Sequence, residues 1–229
     1  MIRVMRLKTR LRLALALVGL TVGGALHAQE APVAGPWAAS FAAFDAADQA
    51  RPPPAGGVVF VGSSSIRLWE GLEEAFQGPP VVLRRGFGGS TLADCVAHLK
   101  RLVIAYRPRQ VVVYAGENDL AQGRRPEEVA ERFRALVEGL RADLPEVRIA
   151  YISIKPSPAR VHLLPEVKEA NRQLKALAAS YRDVEFIDVF HDMLDEQGLP
   201  RATLFAGDAL HLNASGYALW RQRLAGYVR

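Results

Sequence analysis

Two stretches of the sequence carry side chains that could act together in nucleophilic catalysis. The first is the serine run 63–65, and the second is Asp208-Ala209-Leu210-His211. A serine hydroxyl attacks well only when a base takes its proton, and the imidazole of His211 can be that base. Asp208 can fix the tautomer of the histidine, and the Asp-x-x-His spacing places both side chains on one side of a turn. These residues predict acyl transfer, although the serines taken alone also suit a turn or a helix cap.

Acyl transfer also needs hydrogen-bond donors for the oxyanion of its tetrahedral intermediate. Two polar loops, Gly-Phe-Gly-Gly-Ser-Thr at 86–91 and Gly-Glu-Asn-Asp at 116–119, could supply them. The candidate donors are the amides of Ser64 and Gly89 and the side chain of Asn118, while Asp119 is expected to support its loop. The glycines do not match Gly-x-Gly-x-x-Gly and no Lys-Ser/Thr follows them, which argues against a dinucleotide or P-loop site.

Alternating β-strands and α-helices are predicted to position these loops. Apolar, β-rich runs predict five strands at 58–61, 81–83, 111–114, 147–154 and 184–189. Their continuous apolar character is typical of a parallel sheet that is buried on both faces. Helical patterns lie between and around them, over 92–106, from Pro126, from Pro165 and after a cap at Asn213. The order predicts an α/β fold, a three-layer α/β/α sandwich with a parallel sheet of strand order 2-1-3-4-5.

The polar loops follow the strands of this sheet. In open parallel sheets, ligands bind beyond the carboxyl ends of the strands. The segments 62–66, 86–91, 116–119 and 208–211 would therefore lie on one rim, and Lys155-Pro156-Ser157-Pro158 after the fourth strand would lie there too. Glu117 could line the pocket or face solvent.

Four blocks in this order make the chain similar to the GDSL/SGNH-type hydrolases. The segment 60–69 resembles the first block, with Ser64 at the nucleophile position and Ser65 as its rival, which could instead cap the next helix. The segments 85–90, 116–119 and 208–211 resemble the other three. Two positions depart from the family pattern: Ser63 replaces the usual Asp, and Arg84 stands where Asn is frequent. Both remove polar groups that would shape the loops, so we expect an effect on substrate preference and rate.

The resemblance implies a flavodoxin-like fold and cleavage of carboxylic esters through an acyl-enzyme intermediate. It implies that Ser64, Asp208 and His211 form a catalytic triad, and that Ser64, Gly89 and Asn118 form the oxyanion hole. No cofactor is required. The expected partner is a small-molecule or glycan-linked ester substrate. Three alternatives are a carbohydrate O-deacetylase, a catalytically inactive exported α/β binding module and, more weakly, a flavodoxin-like cofactor protein.

The N-terminus predicts export. Residues 1–28 contain five basic residues, a short apolar run from 13 to 26 and a small residue at Ala28, as in a cleaved secretory signal peptide. The apolar run is shorter than the roughly 20 residues of a membrane span, so no stable membrane anchor is expected after cleavage. The expected location is the periplasm or the outside of the cell. A lead-in segment at 29–57 would then precede the hydrolase domain at 58–229.

Charge and cysteine content exclude other classes of function. Residues 1–28 hold five of the 29 basic residues and no acidic one, so the remainder carries 24 of each sign. A balanced mature chain gives no reason to expect nucleic-acid binding. The single cysteine, Cys95, allows no internal disulfide and falls in an apolar helical pattern. No histidine outside residues 208–211 has a partner at metal-ligand spacing, so no metal site is predicted.

Overall fold

The fold is built on a five-stranded parallel sheet. The structure is a computed structural model, and it describes residues 35–76 and 81–228. The strands are β1 (Val58–Gly62), β2 (Val82–Gly86), β3 (Gln110–Tyr114), β4 (Arg148–Ile152) and β5 (Val184–Ile187). Their order in the sheet is β2-β1-β3-β4-β5, with every neighbouring pair parallel. The predicted fold class and strand order are confirmed.

Strand β2 is longer than the predicted one. The sequence predicts a strand over 81–83, but β2 continues through Arg84 and Arg85 to Gly86. Arg85 is buried in the sheet layer because it finds an acidic partner on a distant helix, described below. Strands β4 and β5 are shorter than expected, since the apolar runs extend into the loops that follow them.

Nine helices in the described residues surround the sheet. They are α1 (Ala38–Ala50), α2 (Ser64–Arg67), α3 (Leu72–Ala75), α4 (Leu92–Ala97), α5 (Leu99–Leu102), α6 (Glu117–Ala121), α7 (Pro126–Asp143), α8 (Leu164–Ala179) and α9 (Ala214–Leu224). Pro126 is the first residue of α7, and Asn213 caps α9 by accepting from two backbone amides, as predicted. The pattern over 92–106 forms α4, α5 and a 3-10 turn instead of one helix, since the backbone leaves the helical region at His98 and Val103.

Two apolar layers hold these helices on the sheet. Alternate side chains of each strand face opposite sides. Val59, Val61 and their equivalents in β3 and β4 pack with α1, α4, α7 and α8, including Phe133 of α7 and the buried Cys95. Phe60, Tyr114 and their equivalents pack on the other face, mainly with α9 and the segments around it. Helices therefore cover both faces, which leaves the strand ends as the place for a polar site.

Helix α1 belongs to this packing. Its residue Phe41 is fully buried between the sheet and α4, in line with the helical apolar face expected in the lead-in segment. The predicted signal peptide at 1–28 and the first residues of the lead-in lie outside the described residues. Within 35–76 and 81–228, no helix has the length and apolar character needed to cross a membrane.

A buried ion pair ties α1 to strand β2. The Arg85 guanidinium is 2.5 Å from the carboxylate of Asp48, which also accepts from the hydroxyl of Tyr106 at 2.6 Å. Arg85 lies between the rings of Phe44 and Tyr106, at 5.1 and 4.6 Å from their centroids. The Arg85 charge is thus shielded from water. The guanidinium also donates to the Tyr106 hydroxyl and the Arg84 carbonyl, while its carboxylate partner comes from α1.

We expect Asp48→Ala to lower the free energy of unfolding by about 3 kcal/mol, because it leaves the Arg85 charge buried without a partner. Asp45→Ala is the matched control: Asp45 lies on the same helix and pairs with Arg101, but its side chain is half exposed. An exposed pair contributes about 0–1 kcal/mol, so the control should change little. Urea unfolding of both variants measures the difference. Equal losses would contradict a special role for the buried pair.

Candidate active site

A tight junction between β1 and α2 presents Ser64 at the rim of the sheet. Gly62 has a φ of +146°, and a Cβ there would lie 1.9 Å from the carbonyl oxygen of Tyr114, so only glycine fits. Ser63 is extended, donates its amide to the same carbonyl at 3.0 Å and precedes the first residue of α2, Ser64. Ser65 is buried and Ser64 is partly exposed. The chain therefore turns one serine of the run outward.

His211 lies between Ser64 and Asp208. Its Nε2 is 3.0 Å from the Oγ of Ser64, and its Nδ1 is 2.6 Å from the Oδ2 of Asp208. The other oxygen of Asp208 accepts from the backbone amides of Leu210 and His211, at 3.0 and 2.9 Å, in a turn where Ala209 has a positive φ of 56°. The three predicted residues thus meet in the order that passes a proton from the hydroxyl to a carboxylate-oriented imidazole.

The same hydrogen bonds keep Asp208 ionised. The bond from the His211 ring, followed by those from the two backbone amides, holds the pKa of the Asp208 carboxyl well below its usual range. Its side chain is half exposed, so desolvation opposes ionisation little, and Asp208 is a carboxylate at neutral pH. A carboxylate in this position accepts from Nδ1 and leaves Nε2 free to face the serine.

A cleft of about 460 Å³ opens in front of Ser64. Its walls come from six separate segments of the chain, and they include the candidate oxyanion donors Gly89 and Asn118. The lining residues are Pro36, Trp37, Ser40, Ser64, Arg67, Gly88, Gly89, Asn118, Arg160, Leu210 and His211. The structure thus brings every site residue named from the sequence to one place except Asp208, which lies behind His211.

Hydrogen bonds fix the orientation of the Asn118 amide. Its Oδ1 accepts from both terminal nitrogens of Arg160, each at 3.2 Å, and its Nδ2 donates to the carbonyl of Ser90 at 3.0 Å. An amide nitrogen has two hydrogens, so one N–H remains for another acceptor. Gly89 has a φ of +76°, and its amide donates to no acceptor among the described residues. Both groups therefore keep a free donor.

A buried ionic cluster supports the Asn118 loop. Glu117 accepts from the ammonium of Lys155 at 2.5 Å, from Ser157 at 2.6 Å and from the hydroxyl of Tyr114 at 2.8 Å. Arg160 adds a contact at 3.4 Å. From the sequence, Glu117 could line the pocket or face solvent, and Lys155 was expected on the rim. In the structure both side chains are buried beneath the rim.

Asp119 supports the loop as expected, because it accepts from the amide of Leu92 and pairs with Arg132.

Burial and ion pairing act in opposite directions on this pair. Burial raises the pKa of Glu117, but the charge and hydrogen bond of Lys155, together with the hydrogen bond of Ser157 and the charge of Arg160, outweigh it, so the pKa lies below its ordinary value. Burial lowers the pKa of Lys155, and Glu117 opposes that change only in part. The carboxylate is therefore ionised in the folded protein because the cation faces it.

Several residues of the cleft were not predicted from the sequence to belong to the site. Trp37 precedes α1 and donates its indole N–H to the carbonyl of Gly88 at 2.9 Å, so it holds the loop that carries Gly89. Arg67 and Arg160 also line the cleft. Arg160 comes two residues after the segment 155–158, which is predicted to lie on the rim, and this position in the sequence could have indicated that it lies near the site. The aromatic side chains next to the motifs, Trp69, Phe87 and Phe205, are core residues.

Comparisons with known proteins agree with this site and fold. Residues 55–219 match the model of the GDSL-like lipase/acylhydrolase family. The match spans most of the chain, which therefore belongs to this family. Membership supports ester hydrolysis as the class of activity. A comparison with curated protein sequences gave no match.

Solved structures share the fold at low sequence identity. A protein described as a platelet activating factor from Streptococcus pneumonia is 21% identical, with a TM-score of 0.73 over 83% of this chain and 92% of its own. A GDSL-like lipase from Bacteroides thetaiotaomicron is 19% identical, with a TM-score of 0.71 over 83% and 97%. An acetyl-xylooligosaccharide esterase mutant from Geobacillus Stearmophilus is 15% identical, with a TM-score of 0.57 over 77% and 98%.

We expect Glu117→Gln to lower the free energy of unfolding by about 3 kcal/mol at pH 7, because Lys155 is left buried without a counter-charge. The pKa of Glu117 is lower in the folded protein than its ordinary value of 4.5, so the ionised carboxylate stabilises the fold when the pH is above 4.5. This stabilisation is lost as the pH falls through the folded-state pKa. The difference between wild type and variant should shrink below about pH 4.5. Urea unfolding at pH 7 and pH 3.5 measures it, with the exposed Glu138→Gln as control. A difference of constant size would contradict the ionic explanation.

Proposed function

We propose that this protein is a serine hydrolase that cleaves carboxylic esters through an acyl-enzyme intermediate. The observation that carries the proposal is the placement of His211, with Nε2 at 3.0 Å from the Ser64 hydroxyl and Nδ1 at 2.6 Å from the Asp208 carboxylate. Proton transfer needs heavy atoms about 2.6–3.2 Å apart, and both distances satisfy this condition. The family match supports the same class of reaction.

The first half of the reaction forms the acyl-enzyme. The Ser64 oxygen attacks the ester carbonyl while its proton passes to Nε2 of His211. The resulting imidazolium is stabilised by Asp208. The tetrahedral intermediate then collapses, and His211 returns the proton to the leaving alkoxide, which departs as an alcohol.

The second half uses the same groups in reverse roles. A water molecule gives a proton to His211 and attacks the acyl carbon, and the carboxylic acid leaves as the Ser64 oxygen regains its proton. In each half, negative charge develops on the former carbonyl oxygen. The proposed donors to it are the amides of Ser64 and Gly89 and the free N–H of Asn118. Donors fixed in advance stabilise such charge without reorganisation at the moment of reaction.

We expect Ser64→Ala to abolish hydrolysis of 4-nitrophenyl acetate and labelling by a fluorophosphonate probe, since both require an activated serine. Ser65→Ala is the matched control, because Ser65 is buried and is the rival in the serine run. It should keep most of the activity. Loss of activity in Ser65→Ala alone would move the nucleophile by one position. A wild-type protein that takes up no label would favour the inactive binding module.

The carbohydrate O-deacetylase alternative shares this machinery and differs in the alcohol that leaves. Release of acetate from acetylated oligosaccharides, compared with cleavage of simple chromogenic esters by the same protein, separates the two activities. Ser64→Ala serves as the blank in both assays, so that spontaneous hydrolysis is subtracted.

We expect Arg160 to act as a positioning residue that works through Asn118. Asn118→Ala should lower kcat on a neutral ester by about 10²–10³, the usual effect of losing one oxyanion donor. Arg160→Ala should lower kcat by about tenfold, because the amide is then free to rotate, with little change in KM.

The double variant Arg160→Ala/Asn118→Ala tests the coupling. If Arg160 acts only by orienting the amide, its removal has no further effect once the amide is gone. The kcat of the double variant should then equal that of Asn118→Ala. Additive losses would show that Arg160 acts on its own.

A further inference from the structure

The charges that line the cleft are all of one sign. Among the described residues that line it, Arg67 and Arg160 are the only ones with permanently charged side chains, and none is Asp or Glu. We propose that the cleft takes esters that carry an anionic group, a carboxylate or a phosphate, and that Arg67 binds this group. The inference rests on the proposed function, since it names the substrate class of the same site.

Arg67 is an exposed residue close to the nucleophile, and its side chain lies beside the oxyanion loop. It is the last residue of α2, three positions after Ser64, so the two residues lie on the same face of that short helix. Its guanidinium lies against Gly88, where an added Cβ would be 2.8 Å from the Arg67 Nε. The guanidinium thus borders the loop that carries Gly89.

The Arg67 guanidinium has its donors free. Within residues 35–76 and 81–228, it makes no ion pair and no hydrogen bond. Neighbouring Arg84 differs, because it contacts Glu73 at 3.4 Å and donates to the carbonyls of Arg67 and Trp69. A guanidinium presents a planar set of N–H groups that matches carboxylate or phosphate in a two-point contact.

The second arginine keeps the cleft positive. Arg160 contacts Glu117, but that carboxylate is shared with Lys155, so two cations face one anion in this cluster. Asp208 does not line the cleft, and it is engaged by His211. A concave surface with charge of one sign raises the local concentration of ligands of the opposite sign.

The test compares anionic and neutral esters of matched shape. For charge on the acid side, mono-4-nitrophenyl glutarate is paired with 4-nitrophenyl valerate. For charge on the alcohol side, 4-acetoxybenzoate is paired with its methyl ester. The quantity measured is the ratio of kcat/KM for the anionic ester to that for the neutral ester, which cancels any general change in the catalytic groups.

We expect Arg67→Gln to lower this ratio by about tenfold in at least one pair, mainly through KM, as expected for loss of a charge-assisted contact. Arg67→Lys should fall between, because lysine keeps the charge but loses the two-point geometry. The control is Arg134→Gln, an exposed arginine of α7 outside the cleft, which should leave the ratio unchanged. The pair that responds shows which side of the ester carries the charge.

Salt gives a second measurement that needs no variant. In the wild-type protein, the ratio should fall as NaCl is raised from 20 to 500 mM, because salt screens exposed charges. A ratio that is unaffected by Arg67→Gln and by salt in both pairs would overturn the inference while leaving the hydrolase intact. A wild-type protein that cleaves neither the anionic nor the neutral esters would contradict the proposed function itself.

Discussion

The site depends on a close approach of backbone to backbone at the carboxyl ends of β1 and β2. A Cβ on Gly62 would lie 1.9 Å from the Tyr114 carbonyl oxygen, and one on Gly86 would lie 2.2 Å from the Arg67 amide. A side chain at Gly62 would push β1 away from β3, and a side chain at Gly86 would push α2 away from the sheet. Because α2 lies so close to the strand ends, Ser64 is fixed by main-chain packing and reaches His211 from 147 residues away. A nucleophile placed in this way needs little reorganisation before it reacts.

Buried polar groups beneath the rim support the part of the site that the glycine contacts do not reach. The Glu117 and Lys155 pair is buried, and such pairs add little net stability because both ions lose their hydration. What the pair supplies is geometry: it fixes the loop of Asn118 from below, while Arg160 fixes the amide from the cleft side. The site thus combines a nucleophile fixed by main-chain packing with an amide donor held by charges. Tyr114 joins the two supports, because its carbonyl accepts from the Ser63 amide and its hydroxyl donates to Glu117.

The sequence was most informative where an apolar strand pattern is followed directly by a loop of polar residues and glycines. Continuous apolar runs predicted the strands, and the alternation of strands and helices predicted their order. The loops that follow the strands predicted Ser64, Gly89, Asn118 and His211, which the structure brings to one cleft, and Asp208, which lies behind His211. The order of the elements was sufficient because parallel sheets place every strand end on one side.

Features that depend on contacts between distant residues were not predictable in this way. The extension of β2 through Arg85 relies on Asp48, 37 residues earlier, and the support of the Gly88 loop relies on Trp37, 51 residues earlier. The arginines of the cleft look like ordinary surface charges in the sequence. Whether they make the cleft positive depends on whether a carboxylate lies beside them in space, and the sequence does not show which residues are neighbours.

Helix α1 has a consequence for where the folding unit begins. The span that matches the family runs from residue 55 to 219, yet the carboxylate that neutralises Arg85 and the indole that holds the Gly88 carbonyl both come from before residue 55. The border of the family match therefore falls inside the packed core of the domain. The segment upstream of residue 55 supplies Pro36, Trp37 and Ser40 to one wall of the cleft, so substitutions there would change access to Ser64 without altering Ser64, Asp208 or His211.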